Sequence, residues 1–398
     1  MPKYDFDEII DRRKTFSTKW NVPKKELPMW VADMDFKAAP EIIEAMRKRL
    51  EHGVFGYTDI PEKWKKAYIN WHKLRHRAII KPSWLMFCTG IVPAISSLVR
   101  KLTTPNENVL LLTPVYNIFY NSIINNGCRP AECPLAYNKN GKNSAKAYNI
   151  DFSLLEEMLA DPQTTLMILC NPHNPVGKIW TMEELAEIGR LCQKHGVTII
   201  ADEIHCDITA PDMDYIPFAS VNKTCREISI SCIAPTKTFN IAGLQTAAIY
   251  AANPLLRHKA WRAINTDEVA EPNVFAVSAA IAAYTKGGNW LDALRGYLWQ
   301  NRSAAEKYIR QEIPCLKAVP ADATYLMWID CNAAEKALKA VKSGRYANVA
   351  GMIRKKTGLY VSAGEHYGKG GENFIRLNLA CPRSRLMEGL ERLKKAFK

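Results

Sequence analysis

Four polar side chains of complementary chemistry each follow an apolar run of the chain. They are a phenol, a carboxamide, a carboxylate and an amine, provided by Tyr116, Asn174, Asp202 and Lys237. Asn174 and Asp202 are 28 residues apart, and Asp202 and Lys237 are 35 residues apart. A single lysine is most often an ordinary surface residue, so a chemical role for Lys237 depends on the other three groups.

These four groups together are suited to pyridoxal 5′-phosphate (PLP). A lysine amine can hold the PLP aldehyde as a Schiff base, and a carboxylate facing the pyridine nitrogen keeps that nitrogen protonated. A tyrosine can stack on the ring, and an asparagine amide can donate to the phenolic oxygen. Since the ring accepts electrons when a bond at the substrate Cα breaks, the residue types predict a PLP enzyme with an amino-acid substrate.

The apolar runs predict buried strands that alternate with amphipathic helices. Strands are predicted at residues 108–116, 164–172, 196–203 and 227–235. A helix is predicted between two of them, because Thr181 and Glu184 suit a capping box and Gly196 suits a C-terminal cap. This alternation indicates an α/β fold with a mainly parallel central sheet. Ligands of such sheets bind beyond the carboxyl ends of the strands, where the four polar side chains are expected to converge.

The chain length and the composition limit the remaining possibilities. The net charge is +14 over 398 residues, but the basic residues are scattered, so we expect no nucleic-acid binding. We expect no membrane span, and the N-terminal residues lack the apolar core of a signal peptide. The 11 cysteines form no C-x-x-C pair, which favours reduced thiols in the cytoplasm and no metal site.

The length also favours two domains. We predict a large cofactor-binding domain at residues 41–284. A smaller α+β domain is predicted to combine residues 1–40 with residues 285–398. A Gly-rich break at residues 284–290 is expected to separate the two, with a long helix beginning after it.

Ordered motifs give the chain a resemblance to a known superfamily. NPHNPVG, ADEIH, APTKTFNIAG and FIRLNLACPR match, in order, the fold-type I PLP enzymes of the aspartate aminotransferase-like superfamily. Within it, PMWVADMDF, HGVFGYT, TPVYNIFY, DEIHCD and ATYLMWID look most like the MalY/PatB-type cystathionine β-lyases, also called cysteine C–S lyases. The resemblance covers nearly the whole chain and implies the fold-type I PLP-dependent transferase fold.

The resemblance implies a role for each cofactor contact. Lys237 binds the cofactor covalently and then acts as the base at the substrate Cα. Asp202 pairs with the pyridinium nitrogen, Asn174 contacts the phenolic oxygen, and Tyr116 stacks on the ring. The cofactor phosphate is contacted by the glycine turn and helix start formed by Gly90, Ile91 and Val92. A distant tyrosine, Tyr57, contacts it as well. Because Tyr57 would reach the phosphate from the partner subunit, the resemblance also implies a homodimer.

The chain departs from the broader aminotransferase pattern near the cofactor. His205 stands where many relatives have a tyrosine that contacts the phenolic oxygen, so it either takes over that contact or only packs. Ala234 replaces a common phosphate-binding serine, and Gln245 replaces an arginine. Phosphate binding is therefore expected to depend on backbone amides, on Tyr57 and on Thr236.

The substrate contacts are assigned to three residues. The resemblance implies that Arg376 clamps the α-carboxylate with a bidentate pair. A charged residue within an apolar run also needs a partner. Tyr325 is a candidate for the pocket wall. Ala32 belongs to the apolar segment 29–36, which is expected to close over the substrate.

Two reactions share the same first step, in which Lys237 removes the Cα proton. A β-lyase then releases a thiolate from Cβ and gives pyruvate and ammonia, whereas a dicarboxylate transaminase needs a second basic clamp, which the sequence does not offer. The apolar segment 29–36 favours a thioether side chain. We therefore expect a C–S lyase for L-cystathionine or L-cysteine-type amino acids. The alternatives are an aminotransferase and a regulatory or binding protein that retains the PLP fold.

Overall fold

The regular elements of the chain lie within residues 4–398, the part that the computed structural model describes. Its strands are β1 (Leu27–Pro28), β2 (Leu85–Cys88), β3 (Asn108–Thr113), β4 (Arg129–Pro134), β5 (Ala136–Tyr137), β6 (Tyr148–Asn149), β7 (Thr164–Cys170), β8 (Thr198–Asp202), β9 (Ser229–Ile233), β10 (Ala247–Tyr250), β11 (Lys317–Ala318), β12 (Leu326–Asp330), β13 (Leu359–Tyr360), β14 (Ser362–Ala363) and β15 (Phe374–Asn378). Residues 1–3, which belong to the predicted small domain, lie outside the described part.

Helices connect and cover these strands. They are α1 (Pro40–His52), α2 (Glu62–His76), α3 (Ile91–Leu102), α4 (Ile118–Ile124), α5 (Ser144–Ala147), α6 (Phe152–Ala160), α7 (Met182–Lys194), α8 (Phe218–Val221), α9 (Lys223–Glu227), α10 (Pro235–Thr238), α11 (Pro254–Thr266), α12 (Ala276–Lys286), α13 (Gly288–Glu312), α14 (Glu335–Lys342), α15 (Val349–Thr357) and α16 (Arg383–Phe397). Three short 3₁₀ helices occur at Pro82–Trp84, Ala242–Leu244 and Gly364–Tyr367.

A seven-stranded sheet has the strand order β2-β10-β9-β8-β7-β3-β4. Strands β9, β8, β7, β3 and β4 pair in parallel, and β10 runs antiparallel to both of its neighbours. The four strands predicted from the sequence correspond to β3, β7, β8 and β9, which are buried along most of their length. The predicted α/β fold with a mainly parallel central sheet is therefore confirmed.

The predicted helix caps explain where α7 begins and ends. Before α7, the Thr181 hydroxyl accepts from the Glu184 N–H at 3.2 Å, and the Glu184 carboxylate accepts from the Thr181 N–H at 2.9 Å. Gly196 follows α7 with φ 71°, a left-handed conformation that glycine adopts without the steric cost of a Cβ. Gly53 follows α1 in the same conformation.

A second, four-stranded antiparallel sheet has the order β11-β12-β15-β14. Arg376 stands at the centre of β15, opposite Trp328 of β12 on one side and Ser362 of β14 on the other. The side chains of β12 and β15 are buried, so this sheet holds Arg376 in a fixed register. The division into domains at residues 41–284 and at 1–40 with 285–398 stays a prediction.

The N-terminal segment 27–36 is bonded to both parts of the structure. Strand β1 pairs in parallel with β13, and the Asn378 Nδ2 donates to the carbonyls of Val31 and Asp33, each at 2.6 Å. Near α10, the Asn240 side chain accepts from the Met34 N–H at 3.0 Å and donates to the Met34 carbonyl at 3.0 Å. These bonds fix the segment between the two sheets.

The Gly-rich stretch at residues 284–290 is helical for most of its length, so the predicted break is wrong in its extent. Helix α12 ends at Lys286, and α13 begins at Gly288. A Cβ on Gly287 would lie 2.4 Å from the Phe239 ring and 2.6 Å from the Ala283 carbonyl oxygen. Close packing at a helix corner, rather than a flexible linker, therefore explains the glycine at 287.

Helix α13, with 25 residues, is long enough in length alone to cross a bilayer. Charged residues interrupt it, however, from Asp292 onward. Within residues 4–398, no helix combines the length and the apolar composition that crossing a membrane requires.

Candidate active site

The four polar side chains that follow the strands lie at one edge of the central sheet. Asp202 is the last residue of β8, and Asn174 comes four residues after the end of β7. Tyr116 follows β3 by three residues, and Lys237 lies in the short helix α10 after β9. Because these strands are parallel neighbours, their carboxyl ends meet at the same edge.

The turn that carries Asn174 is held by two close contacts. The His173 ring donates through Nε2 to the Pro114 carbonyl at 2.9 Å, which ties this turn to the loop of Tyr116. Gly177 has φ 74°, and a Cβ there would lie 2.5 Å from the Cβ of Ala321. The turn therefore requires glycine at 177, and His173 has a structural contact rather than a free metal-binding nitrogen.

The amine of Lys237 is bonded to the N-terminal segment. Its Nζ donates to the Ala32 carbonyl at 2.6 Å, and the Tyr325 hydroxyl donates to the same carbonyl at 2.9 Å. Three of the residues selected from the sequence are thus brought together. Ala32 contributes its main-chain oxygen to this contact, in addition to the apolar methyl group that the sequence suggested.

Burial lowers the pKa of the Lys237 amine to about 8, from the ordinary value of 10.5. The carboxylates of Asp33 and Asp202 raise this pKa and the Arg376 guanidinium lowers it, but burial has the largest effect. A lysine with a pKa near 8 is partly neutral at physiological pH. It can therefore act as a nucleophile or as a general base.

The carboxylate of Asp202 is hydrogen-bonded to backbone rather than to a charged side chain. It is buried and accepts from the Ile204 N–H at 3.1 Å. Burial raises its pKa to about 7, whereas the Ile204 N–H and the Lys237 amine lower it. A cationic donor, such as a protonated pyridine nitrogen, would stabilise the ionised form of this carboxylate.

Arg376 reaches the same place from the four-stranded sheet. Its Nη1 donates to Asn174 Oδ1 at 3.2 Å, and its Nη2 donates to the Trp30 carbonyl at 3.1 Å. The guanidinium lies 4.9 Å from the centre of the Tyr367 ring. The buried Nε has no hydrogen-bond partner within residues 4–398. Since guanidinium N–H groups suit carboxylates, Arg376 has donor capacity left for a ligand.

His205 lies beside these residues as a neutral imidazole. Its buried ring is 6.1 Å from the Tyr325 ring, between centroids, and Nδ1 has no partner among the described residues. Burial lowers its pKa to about 3, and the charges of Lys237 and Arg376 act in the same direction. Contact between His205 and the phenolic oxygen of a cofactor stays a prediction.

The predicted phosphate loop forms the first turn of α3. Gly90 is the N-cap residue, and Ile91 and Val92 are the first helical residues. The first N–H groups of an α-helix have no intrahelical partner, so they can bind an anion. Thr236, which is buried, adjoins Lys237 on α10.

Tyr57 is not brought to the site within the single chain. It lies between α1 and α2 in an extended segment, and its side chain is fully exposed. Val54 and Phe55 in the same segment are more than half exposed. A row of exposed apolar and aromatic side chains is typical of a surface that is covered in an assembly.

A cavity of about 460 Å³ contains Lys237, Tyr116 and Arg376. Its walls include residues 30–32 and parts of the chain between residues 348 and 367. In this wall, the rings of Trp30 and Tyr360 are stacked, with their centres 4.8 Å apart and an angle of 15° between their planes. The cavity therefore combines a polar end at Lys237 with an aromatic wall.

Sequence reasoning missed three residues of this wall, namely Trp30, Tyr360 and Arg354. The Arg354 guanidinium lies 3.8 Å from the centre of the Tyr360 ring. Its Nη2 donates to Glu26 Oε2 at 2.8 Å, and its Nε donates to Glu26 Oε1 at 3.2 Å. Trp30 stands within a quoted motif and could have been selected. Arg354 and Tyr360 carry no local signal, because only the tertiary structure brings them to the cavity.

The match to known proteins covers nearly the whole chain. A family model described as aminotransferase class I and II matches residues 26–393. The chain belongs to this family. Among curated relatives, cystathionine beta-lyase PatB of Bacillus subtilis is 41% identical over 99% of this chain and 100% of its own length. Protein MalY of Escherichia coli is 34% identical over 99% of each chain.

Solved structures give the same family. The PLP-bound C–S lyase of Staphylococcus hominis has a TM-score of 0.90 and 32% identity, and the match covers 99% of both chains. The resemblance to MalY/PatB-type enzymes, the fold-type I assignment and PLP as the cofactor are thereby confirmed.

The family member described here has the groups that PLP requires. The buried Asp202 carboxylate has no charged side chain bonded to it, and the ring nitrogen Nδ1 of His205 has no partner within residues 4–398. The Lys237 amine projects into the cavity beside Tyr116. These residues would hold the pyridine ring, and the first turn of α3 offers N–H groups for its phosphate.

Proposed function

We propose that this protein is a carbon–sulfur lyase that acts on L-cystathionine and related L-cysteine derivatives, consuming one water molecule and releasing a thiol, pyruvate and ammonia. The observation that carries the proposal is the Lys237 amine, with its lowered pKa, in one cavity with Arg376 and an aromatic wall. The similarity to cystathionine beta-lyase PatB supports the same reaction class.

The polar end of the cavity suits the amino-acid head of the substrate. Arg376 would bind the α-carboxylate through its unsatisfied N–H groups, and Asn174 holds the guanidinium in place at 3.2 Å. The Ala32 carbonyl can accept from an amine at this point, as it does from Lys237. A substrate bound in this way would occupy the cavity that Arg376 shares with Lys237.

Lys237 then moves the proton on which the reaction depends. When bound, PLP supplies an electron-accepting ring that stabilises negative charge at the substrate Cα. The neutral Lys237 amine takes the Cα proton as a general base. The Cβ–S bond can then break, and the resulting Lys237 ammonium is positioned to donate a proton to the departing sulfur.

The outer part of the cavity favours a thioether over a dicarboxylate substrate. Two arginines line the cavity, and the second, Arg354, is paired with Glu26 and stacked on Tyr360. A guanidinium that is already paired has little capacity to clamp a further carboxylate. The stacked rings of Trp30 and Tyr360 offer apolar contact to methylene and sulfur groups instead.

An aminotransferase is the second candidate, because the family name and the shared first step allow it. The two reactions differ in their requirement for a keto acid. A lyase forms pyruvate from L-cystathionine through many turnovers without one, whereas a transaminase stops after a single turnover. A regulatory protein that retains the fold would bind PLP and show neither reaction.

We also propose a homodimer in which Tyr57 of the partner subunit reaches the cofactor phosphate. The support is the complete exposure of Tyr57, together with the exposed Val54 and Phe55 beside it. The phosphate site of a single chain also lacks the usual serine and arginine, since Ala234 and Gln245 occupy those positions. A second subunit would supply the missing hydroxyl donor.

The cytoplasm as the compartment and the division into two domains are also proposals. All 11 cysteines are free thiols, and ten of them are buried, which agrees with a reducing environment such as the cytoplasm. The two sheets agree with a large domain at residues 41–284 and a smaller one that combines 1–40 with 285–398.

A further inference from the structure

Two histidines and a cysteine form a buried cluster outside the cofactor site. His72 and His76 lie on one face of α2, because they are four residues apart, and Cys206 follows the end of β8 by four residues. One ring nitrogen of each histidine and the Sγ of Cys206 lie within 4.8 Å of one another. These are three donor groups that transition metals prefer.

The orientation of His76 is set by a carboxylate. Its Nε2 donates to Asp207 Oδ1 at 2.7 Å, which leaves Nδ1 for another contact. Asp207 also accepts from Trp71 Nε1 and from Thr238 Oγ1, both at 2.9 Å, and three donors are what an ionised carboxylate requires. A carboxylate that holds one nitrogen of a histidine while the other binds metal is a common arrangement in metalloproteins.

His72 provides an independent observation. Its side chain is buried, and its Nε2 has no hydrogen-bond partner within residues 4–398. Buried polar atoms nearly always have a partner, so an unpartnered imidazole nitrogen indicates a ligand that it could bind. The His72 and His76 rings are 5.5 Å apart between centroids, and His72 contributes one ring nitrogen to the cluster.

The charges of the cluster suit a divalent cation. The Asp207 carboxylate lies beside the cluster, and a divalent ion that binds Cys206 would be neutralised by this carboxylate together with the thiolate that forms on binding. Two arginines stand nearby, but both are engaged with Asp292, Arg75 at 2.6 Å and Arg295 at 3.8 Å. Binding would release the Cys206 proton to solvent, as for other metal-bound thiols.

We propose that His72, His76 and Cys206 bind a zinc ion, with a water molecule as the fourth ligand. Two imidazole nitrogens and one thiolate match the ligand preference of zinc. The ion would join α2 to the segment that begins at Asp202, and through Asp207 and Thr238 to the helix of Lys237. It would thus stabilise the strand ends that hold the cofactor. The sequence analysis predicted no metal site, because the cysteine is distant from the histidines in the chain.

Zinc retention by the PLP-loaded enzyme tests the proposal. Wild-type protein and the variants Cys206→Ser, His72→Gln and Cys331→Ser would be incubated with zinc sulfate, desalted and analysed for metal by mass spectrometry. Cys331 is a buried free cysteine directly after β12 and serves as the matched control. We expect one zinc per chain in the wild type and in Cys331→Ser, and loss of that zinc in the other two variants.

A cobalt spectrum of the wild-type protein keeps the test decisive if a variant does not fold. Cobalt(II) bound by one thiolate and two imidazoles should show tetrahedral bands in the visible region, at longer wavelength than the absorption of PLP, and a thiolate charge-transfer band. Zinc retained equally by Cys206→Ser and His72→Gln, no retained zinc in the wild type, or a cobalt spectrum without thiolate ligation would overturn the proposal.

Discussion

The Nζ of Lys237 donates a hydrogen bond of 2.6 Å to the main-chain carbonyl of Ala32, 205 residues earlier in the chain. The Ala32 segment is in turn held by Asn378 of β15 and by Asn240. The amine that carries the chemistry is therefore positioned by both sheets at once. A change in the segment 30–34 should alter the reactivity of Lys237 without touching the lysine itself.

Cofactor loading should report the lowered pKa of Lys237. Only the neutral amine attacks the PLP aldehyde, so the initial loading rate of the apoprotein should rise with pH through about 8, rather than through the 10.5 of an ordinary lysine. The measurement is the absorbance of the covalently bound cofactor in stopped-flow mixing. Lys237→Ala should show no such phase at any pH.

The variant Asp33→Asn tests whether a neighbouring carboxylate influences the pKa of Lys237. The Asp33 carboxylate raises the pKa of Lys237, so its removal should move the midpoint of the loading profile to lower pH. A midpoint that stays at 8 or moves upward would mean that Asp33 does not act on the amine.

Asp202→Asn should separate stability from catalysis. The pKa of Asp202 is about 7 in the folded apoprotein against an ordinary 3.8, so the folded state must ionise an unfavourably placed carboxylate at high pH. The amide should raise the free energy of unfolding of the apoprotein by up to about 4 kcal/mol at pH 8. The gain should grow between about pH 4 and pH 7, where the unfolded-state carboxyl is ionised and the folded one is not, and then level off.

The same substitution should damage the PLP-loaded enzyme. Without the carboxylate, nothing keeps the pyridine nitrogen protonated, and loss of one member of a buried ion pair costs about 3–5 kcal/mol. We expect turnover to fall by about 100-fold or more, while covalent cofactor binding persists. An Asp202→Asn enzyme with normal turnover would remove this residue from the proposed site.

Arg376 and Arg354 should respond differently to the same conservative change. Arg376→Lys keeps the charge but loses the planar fork, so kcat/KM for L-cystathionine should fall by about tenfold to a hundredfold, as expected when hydrogen bonds worth about 1.5–3 kcal/mol are lost. Arg354→Lys should change it by less than about threefold, within the range of about 0.5 kcal/mol for neutral surface changes. Equal losses in both variants would show that Arg354 also binds substrate.

Mixed dimers should show whether Tyr57 acts across the interface. Tyr57→Ala and Lys237→Ala would be inactive as separate homodimers at limiting PLP. In a mixed dimer, one site would combine the intact Lys237 of one subunit with the intact Tyr57 of the partner subunit. Activity should therefore return on mixing, refolding and isolation of tagged heterodimers. Heterodimers that stay inactive would place Tyr57 in its own subunit's site.

Local sequence signals predicted the framework of the fold and the inner part of the site. The strands before Tyr116, Asn174, Asp202 and Lys237 were found because continuous apolar runs between turn residues are a strong signal for buried parallel strands. Each chemical group then followed a strand directly. Such features depend on neighbours in the chain, which a single sequence contains.

Features that depend on tertiary contacts were missed or misjudged. Gly287 looked like a linker residue, although the Phe239 ring requires it to be small. Arg354 and Tyr360 had no motif, because their role arises from stacking on each other and on Trp30. The bond from Lys237 to the Ala32 carbonyl could not be predicted, since a main-chain oxygen leaves no trace in residue identity.

The most direct test of the proposed reaction is pyruvate formation from L-cystathionine by the purified, PLP-loaded protein without added keto acid. We predict sustained pyruvate over many turnovers, matched by equal amounts of ammonia and homocysteine, and none of these with Lys237→Ala. If pyruvate is absent and the cofactor spectrum shifts once to its amine form, the reaction is a transamination and the lyase proposal is contradicted.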